Sequence, residues 1–167
     1  NDFTGLSFVC GATGAVTVTF RATDDCGNFS ETIATFTIED TTDPTIDTQA
    51  AAETVECDGA GNTTALNAWL AANGGAAASD DCGGVTWSNN FSALSDLCGA
   101  TGAATVTFRA TDDCGNFSET TATFTIEDKT EPPVPVNAGS TVECIADAVQ
   151  PDAPIVTDNC EGLITPV

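Results

Sequence analysis

The chain has 167 residues, with 25 acidic side chains against 3 basic ones for a formal charge of −22, and contains no His, Met or Tyr. Without His it lacks the imidazole on which most acid/base catalysis near neutral pH, nucleophilic triads and most zinc sites depend. Its acidity excludes nucleic acid and anionic membrane as partners and leaves cations as natural ones.

Charged residues are only 17% of the chain and hydrophobic ones 41%, a balance that folds instead of staying disordered. Eight Cys, none in a CxxC pair, predict disulfides and an oxidising compartment. No signal peptide and no apolar run of about 20 residues is present, so the expectation is an internal piece of a longer exported protein with no direct membrane insertion.

Taken along the chain, the first segment to matter is CGATGAVTVTFRATDDCGNFSETIATFTIEDTTDP, from Cys10 to Pro44. It recurs from Cys98 to Pro132, 88 residues on, and differs only at Val16/Ala104, Ile33/Thr121, Thr41/Lys129 and Asp43/Glu131. Such identity at a fixed offset marks a tandem duplication. Short strands are predicted at 45–48, 54–57 and 85–88, the last with Val85 and Trp87 on one face. Between them Leu66, Trp69 and Leu70 fall at i, i+3 and i+4, after Thr63 and Thr64 as candidate N-caps and before Asn73-Gly74 as a stop signal, which predicts a short helix. At that spacing Trp69 is a core anchor in preference to a carbohydrate platform. Further on, Val106, Phe108 and Ala110 alternate with Thr105, Thr107 and Arg109, and Ala122, Phe124 and Ile126 alternate with Thr121, Thr123 and Thr125. Period two predicts two half-buried strands, with DDCGN as their hairpin turn. Finally TVEC at 54–57 returns at 141–144, and DDCG at 80–83 returns as DNCEG from Asp158, a third and diverged copy.

The predicted architecture is therefore all-β: tandem immunoglobulin-like β-sandwich repeats, each with one short helix and two disulfides. Residues 1–40 form the C-terminal half of one repeat, 41–128 a complete repeat, and 129–167 the N-terminal half of a diverged one. Assigning each Cys to a pole of such a sandwich puts Cys57 and Cys98 at the far pole and Cys82 and Cys114 at the near pole. A Cys98–Cys114 bond is excluded, because the strand between them spans roughly 30 Å. The predicted pairs are Cys57 with Cys98 and Cys82 with Cys114, leaving Cys10, Cys26, Cys144 and Cys160 to partners outside the 167 residues.

The near pole gathers Asp80, Asp81, Asp112 and Asp113, and the preceding linker adds Glu39, Asp40 and Asp43. Carboxylates at that density call for protons or cations, and calcium, with six to eight oxygen ligands in flexible geometry, suits them better than magnesium. Asp112 and Asn116 stand four apart around a Gly and offer two oxygens to one ion. Ordinary turn chemistry and solvation are the rival explanation. At the diverged copy the corresponding set is Glu127, Asp128 and Glu131 with Asp158. A glycosidase-like dyad at Asp80/Asp81 or Asp112/Asp113 is disfavoured by its place beside cysteines in a duplicated unit.

The stretches TVECDGAGNTTALNAWLAANGG and SDDCGGVTWSNN, followed by CGATGAATVTFRATDDCGNFSETTATFTIED, resemble the repeats of giant gliding-motility adhesins of the Bacteroidota. More distantly, ATDDCGN with TATFTIED and the DTTDP linker resembles hyalin-type (HYR) immunoglobulin-like repeats and those of large bacterial adhesins. The resemblance implies a filament exported by the type IX system, anchored on the outer membrane, adjoining further repeats of its own chain and gripping a substratum or surface polysaccharide; that it is not an enzyme is the expectation from the missing His and the tandem duplication. It also implies calcium at an Asp-x-x-Gly-Asn turn, matched by Asp112, Gly115 and Asn116 and by Asp24, Gly27 and Asn28. Here a Cys stands inside that turn, a departure from the pattern. A glycan-binding module using exposed Trp69 or Trp87, or a spacer of a large secreted enzyme, is the alternative function.

Overall fold

The computed structural model describes residue 2 and residues 5–133, 135–136, 139, 141–149 and 153–164, so the predicted segments 1–40 and 129–167 lie partly outside the described residues. In chain order the elements are β1 (Ser7–Phe8), β2 (Gly14–Thr23), β3 (Phe29–Ile38), β4 (Thr45–Thr48), β5 (Glu53–Glu56), α1 (Thr63–Ala71), β6 (Ala77–Ser79), β7 (Val85–Asn89), β8 (Gly102–Asp112), β9 (Phe117–Glu127), β10 (Val156–Asp158) and β11 (Gly162–Ile164). The fold is all-β and sandwich-like. Its sheets are β1-β2-β3, β4-β6, β5-β9-β8-β7 and β10-β11. Strand β5 runs parallel to β9, with Val55 opposite Ile126, and β7 runs antiparallel to β8, with Trp87 opposite Ala110.

Alternation along β8 and β9 decides which side chains are buried. Val106, Phe108, Ala110, Phe124 and Ile126 are at most 1% exposed, while Thr105, Arg109, Thr121 and Glu119 face water. Burying each Phe contributes about 1.5–3 kcal/mol. On the outer face the hairpin is laced by Thr105 to Thr123 (3.0 Å) and by Arg109, which donates from Nε to Glu119 (2.8 Å) and lies over the Phe117 ring (3.9 Å). In β2–β3 the same motif recurs as Thr17 to Thr35, Arg21 to Glu31 and Arg21 over Phe29.

The chain divides into two compact units. One comprises Asn1–Ala51, Gly75–Asn90 and Thr107–Thr121, and holds β1–β3, the β4–β6 pair and β7 along the end of β8. The other comprises Ala52–Gly74, Phe91–Val106 and Ala122–Val167, and holds β5, α1 and the β10–β11 hairpin. In the second unit α1 closes the apolar face: Leu66 and Trp69 are buried, and Trp69 packs on Phe124 with ring centroids 5.5 Å apart. The residue preceding this helix is Asn62 in the left-handed region (φ 50°), not Thr63 or Thr64. Its side chain is spent on the loop, accepting from the Asp58 backbone N–H and donating to the Glu56 carbonyl.

The disulfides differ from those expected. Cys10 bonds Cys114, with Cα atoms 5.2 Å apart, and Cys57 bonds Cys160, at 5.8 Å. Thus neither Cys57–Cys98 nor Cys82–Cys114 forms, and Cys10 and Cys160 find partners within the chain; Cys26, Cys82, Cys98 and Cys144 carry free thiols. The turns that carry Cys82 and Cys114 do lie side by side, with the Gly84 N–H donating to Asp113 (2.9 Å). The expectation failed because each pole also meets a loop from outside the 41–128 segment, and that loop supplies the bonded sulfur.

Candidate functional site

Two turns build the first carboxylate cluster. In the β8–β9 turn, Asp112 Oδ1 accepts from the backbone N–H of Cys114 (2.8 Å), Gly115 (2.6 Å) and Asn116 (2.9 Å), and Oδ2 accepts from Asn116 Nδ2 (2.8 Å). Burial pushes the Asp112 carboxyl up, but the bonds from Asn116, Cys114 and Gly115 together outweigh it and hold the group below its ordinary value. In the β6–β7 loop, Asp80 accepts from the Cys82 N–H (2.8 Å). The linker between β3 and β4 then lies on both: the Asp40 carbonyl accepts from Asn116 Nδ2 (3.3 Å), and Asp43 Oδ1 accepts from the Phe117 N–H (3.3 Å).

As a result one oxygen each of Asp40, Asp80 and Asp112 lies within 4.8 Å of the others. A cleft of about 200 Å³ beside them is lined by Thr42, Asp43, Asp80, Asp81 and Cys82. The negative field is felt there: burial and then Asp40, Asp80, Asp81 and Asp112 push the Cys82 thiol up. Asn116 acts as a donor that braces the Asp112 carboxylate and the Asp40 backbone carbonyl, and Asp43 and Asp113 are occupied by backbone N–H groups.

The second cluster joins Asp128 and Asp158 beside Cys160. Asp158 Oδ1 accepts from the N–H of Cys160 (2.7 Å) and Glu161 (3.1 Å), as Asp80 does from Cys82. Its Oδ2 is buried and has no hydrogen-bond partner among the described residues. Cys160 sulfur is in a disulfide, so the carboxylates are the ligands on offer. Glu127 is instead ion-paired with Lys129, and Glu131 is exposed and outside the cluster. In the β2–β3 turn, Asp24 repeats the Asp112 pattern: its carboxyl is held low by the Asn28 side chain, then by backbone N–H groups, but it belongs to neither cluster.

The feature that reading the sequence missed is the Cys-Gly-Ala-Thr loop. In both copies the Thr hydroxyl accepts from the Cys N–H at 3.2 Å (Thr13 to Cys10, Thr101 to Cys98), fixing the same turn. Each loop docks on a DDC- or DNC-type turn. Ala12 N–H donates to the Cys82 carbonyl (2.6 Å), and Ala100 N–H to the Cys160 carbonyl (3.1 Å). Gly11 and Gly99, at φ 48° and 56°, leave room for that approach; a Cβ on Gly99 would lie 3.1 Å from the Cys160 carbonyl oxygen. The unchanged CGATG in both copies was the available signal.

Trp69 is 5% exposed and belongs to the core, as its helical spacing predicts, and is not a sugar-stacking platform. Among curated proteins none matches the chain. Residues 132–167 match the HYR-like domain with 4 cysteines, which supports an adhesin-like repeat family and an extracellular, adhesion-type module.

Proposed function

We propose that the chain is a non-catalytic repeat segment of a large secreted cell-surface adhesin filament of the type that SprB represents, supplying reach, stiffness and substratum grip in gliding motility. The observation that carries this reading is the docking of Cys-Gly-Ala-Thr loop on acidic turn, built twice with the same backbone hydrogen bond. A contact that recurs with the repeat lets length scale with copy number, since each unit needs only its neighbours. The HYR-like match adds support. It covers Cys144 and Cys160, and the 41–128 segment, aligned to it through TVEC and DDC, carries four cysteines: Cys57, Cys82, Cys98 and Cys114.

Calcium at the two carboxylate clusters is part of the proposal. A buried carboxylate oxygen without a donor, as at Asp158, is costly unless a cation or a proton meets it. Asp40 and Asp80 occupy the positions that Asp128 and Asp158 occupy one copy later, so both sites take the same ion. An outer-membrane anchor and type IX export complete the reading by resemblance. The test is labelling of intact source cells with an antibody against residues 41–128. Labelling of fibres on intact cells, with attachment to a substratum reduced by the antibody, is the expected result; labelling only after permeabilisation would overturn the surface role.

A further inference from the structure

The eight cysteines fall into four equivalent kinds. Cys98 is the copy of Cys10 and Cys114 the copy of Cys26, 88 residues apart. Cys144 is the copy of Cys57, each ending a TVEC, and Cys160 is the copy of Cys82, each following an acidic pair or its Asp-Asn variant. Numbering them first to fourth within a unit, Cys57–Cys160 joins a first cysteine to the second of the next unit. Cys10–Cys114 joins a third cysteine to the fourth of the next unit.

Moving both rules along by one unit accounts for every sulfur in the chain. Cys98 needs the fourth cysteine of a following unit and Cys144 the second. Cys26 needs the third cysteine of a preceding unit and Cys82 the first. These are the four free thiols. Cys82, though free, is already seated: its carbonyl accepts from the docked loop as that of the bonded Cys160 does, and its N–H is held by Asp80 as that of Cys160 is by Asp158. Cys26, Cys98 and Cys144 are exposed and reachable.

We propose that Cys26, Cys82, Cys98 and Cys144 are the open ends of a disulfide ladder in which each junction between consecutive units is closed by two bonds, and that the partner at either end is another copy of the same unit. A copy of this chain placed head to tail at each end satisfies all four: Cys98 and Cys144 meet Cys26 and Cys82 of the following copy, and Cys26 and Cys82 meet Cys98 and Cys144 of the preceding one. Each closure converts two thiols into one disulfide, and the two electrons and two protons pass to a disulfide-bearing oxidant, which leaves as two thiols.

The experiment incubates a mixture of isotope-labelled and unlabelled 167-residue chains with oxidised and reduced glutathione, then maps disulfide-linked peptides without reduction. The expected result is mixed-isotope links Cys26–Cys98 and Cys82–Cys144, beside intact Cys10–Cys114 and Cys57–Cys160 within single chains. Replacing Cys98 by Ser (C98S) should abolish the Cys26 link and leave Cys82–Cys144. Like-with-like pairs such as Cys26–Cys26, an intrachain Cys82–Cys114 or Cys57–Cys98 bond, or four thiols still alkylatable after equilibration would overturn the ladder.

Discussion

Phe36 and Phe124 sit in the same sequence, SET[IT]ATFTIED, yet Phe36 is 61% exposed and Phe124 fully buried beneath Trp69. The pair separates packing from local propensity. Phe124→Ala should cost about 3–5 kcal/mol and Phe36→Ala less than about 1 kcal/mol, read from chemical denaturation of each variant. Among the acids, Asp58 is held below its ordinary value by the Asn62 backbone N–H and then by that of Ala60. A depressed carboxyl stabilises the fold above its unfolded value of about 3.9 and loses that contribution as pH falls through the lower folded value. Asp112 acts in the same sense. Melting temperature should therefore hold steady from neutral pH to about 5 and fall below about 4, and Asp58→Asn should lower it at neutral pH while flattening the acid limb.

At the scale of elements, the β8–β9 hairpin, its buried face, α1 and the strands predicted at 45–48 and 85–88 were legible because alternation and i, i+3, i+4 spacing report directly on burial. Strand β6, Ala77–Ser79, was not, since a Gly-Gly-Ala-Ala-Ala run has no alternation to read. The convergence of Asp40, Asp80 and Asp112 followed from placing turns at one pole. The disulfides did not, because a pole assignment within one unit is blind to a loop arriving from a neighbouring one. The Cys-Gly-Ala-Thr loop at each such contact depends on glycine at positive φ. Gly99→Ala should strain the backbone and crowd the Cys160 carbonyl, costing about 1–3 kcal/mol, whereas the same change at Gly115, which has open space around it, costs only the backbone strain. Hydrogen exchange at Ala100 reports the difference, through faster exchange in the Gly99 variant.

For the whole molecule, two disulfides closing loops of 104 and 103 residues restrict the unfolded chain, each worth about 4–5 kcal/mol in the chain-entropy model. Within a repeat stalk they would fix which segments meet, and the carboxylate clusters would then set how freely those segments move. An ion bound only to the folded arrangement stabilises it by about 2.7 kcal/mol at a hundredfold excess over its Kd, or roughly 5–10 °C for a chain of this size. Calcium as the stiffener is tested by small-angle scattering and thermal melting of the oxidised chain, in millimolar calcium and in chelator. With calcium bound, the expected result is a longer, better-defined maximum dimension, a melting temperature raised by that amount, and loss of both effects in the Asp40→Asn, Asp158→Asn double variant. Superimposable scattering curves and an unchanged melting temperature in calcium and chelator would contradict the assignment and leave the clustered acids as solvated turn residues.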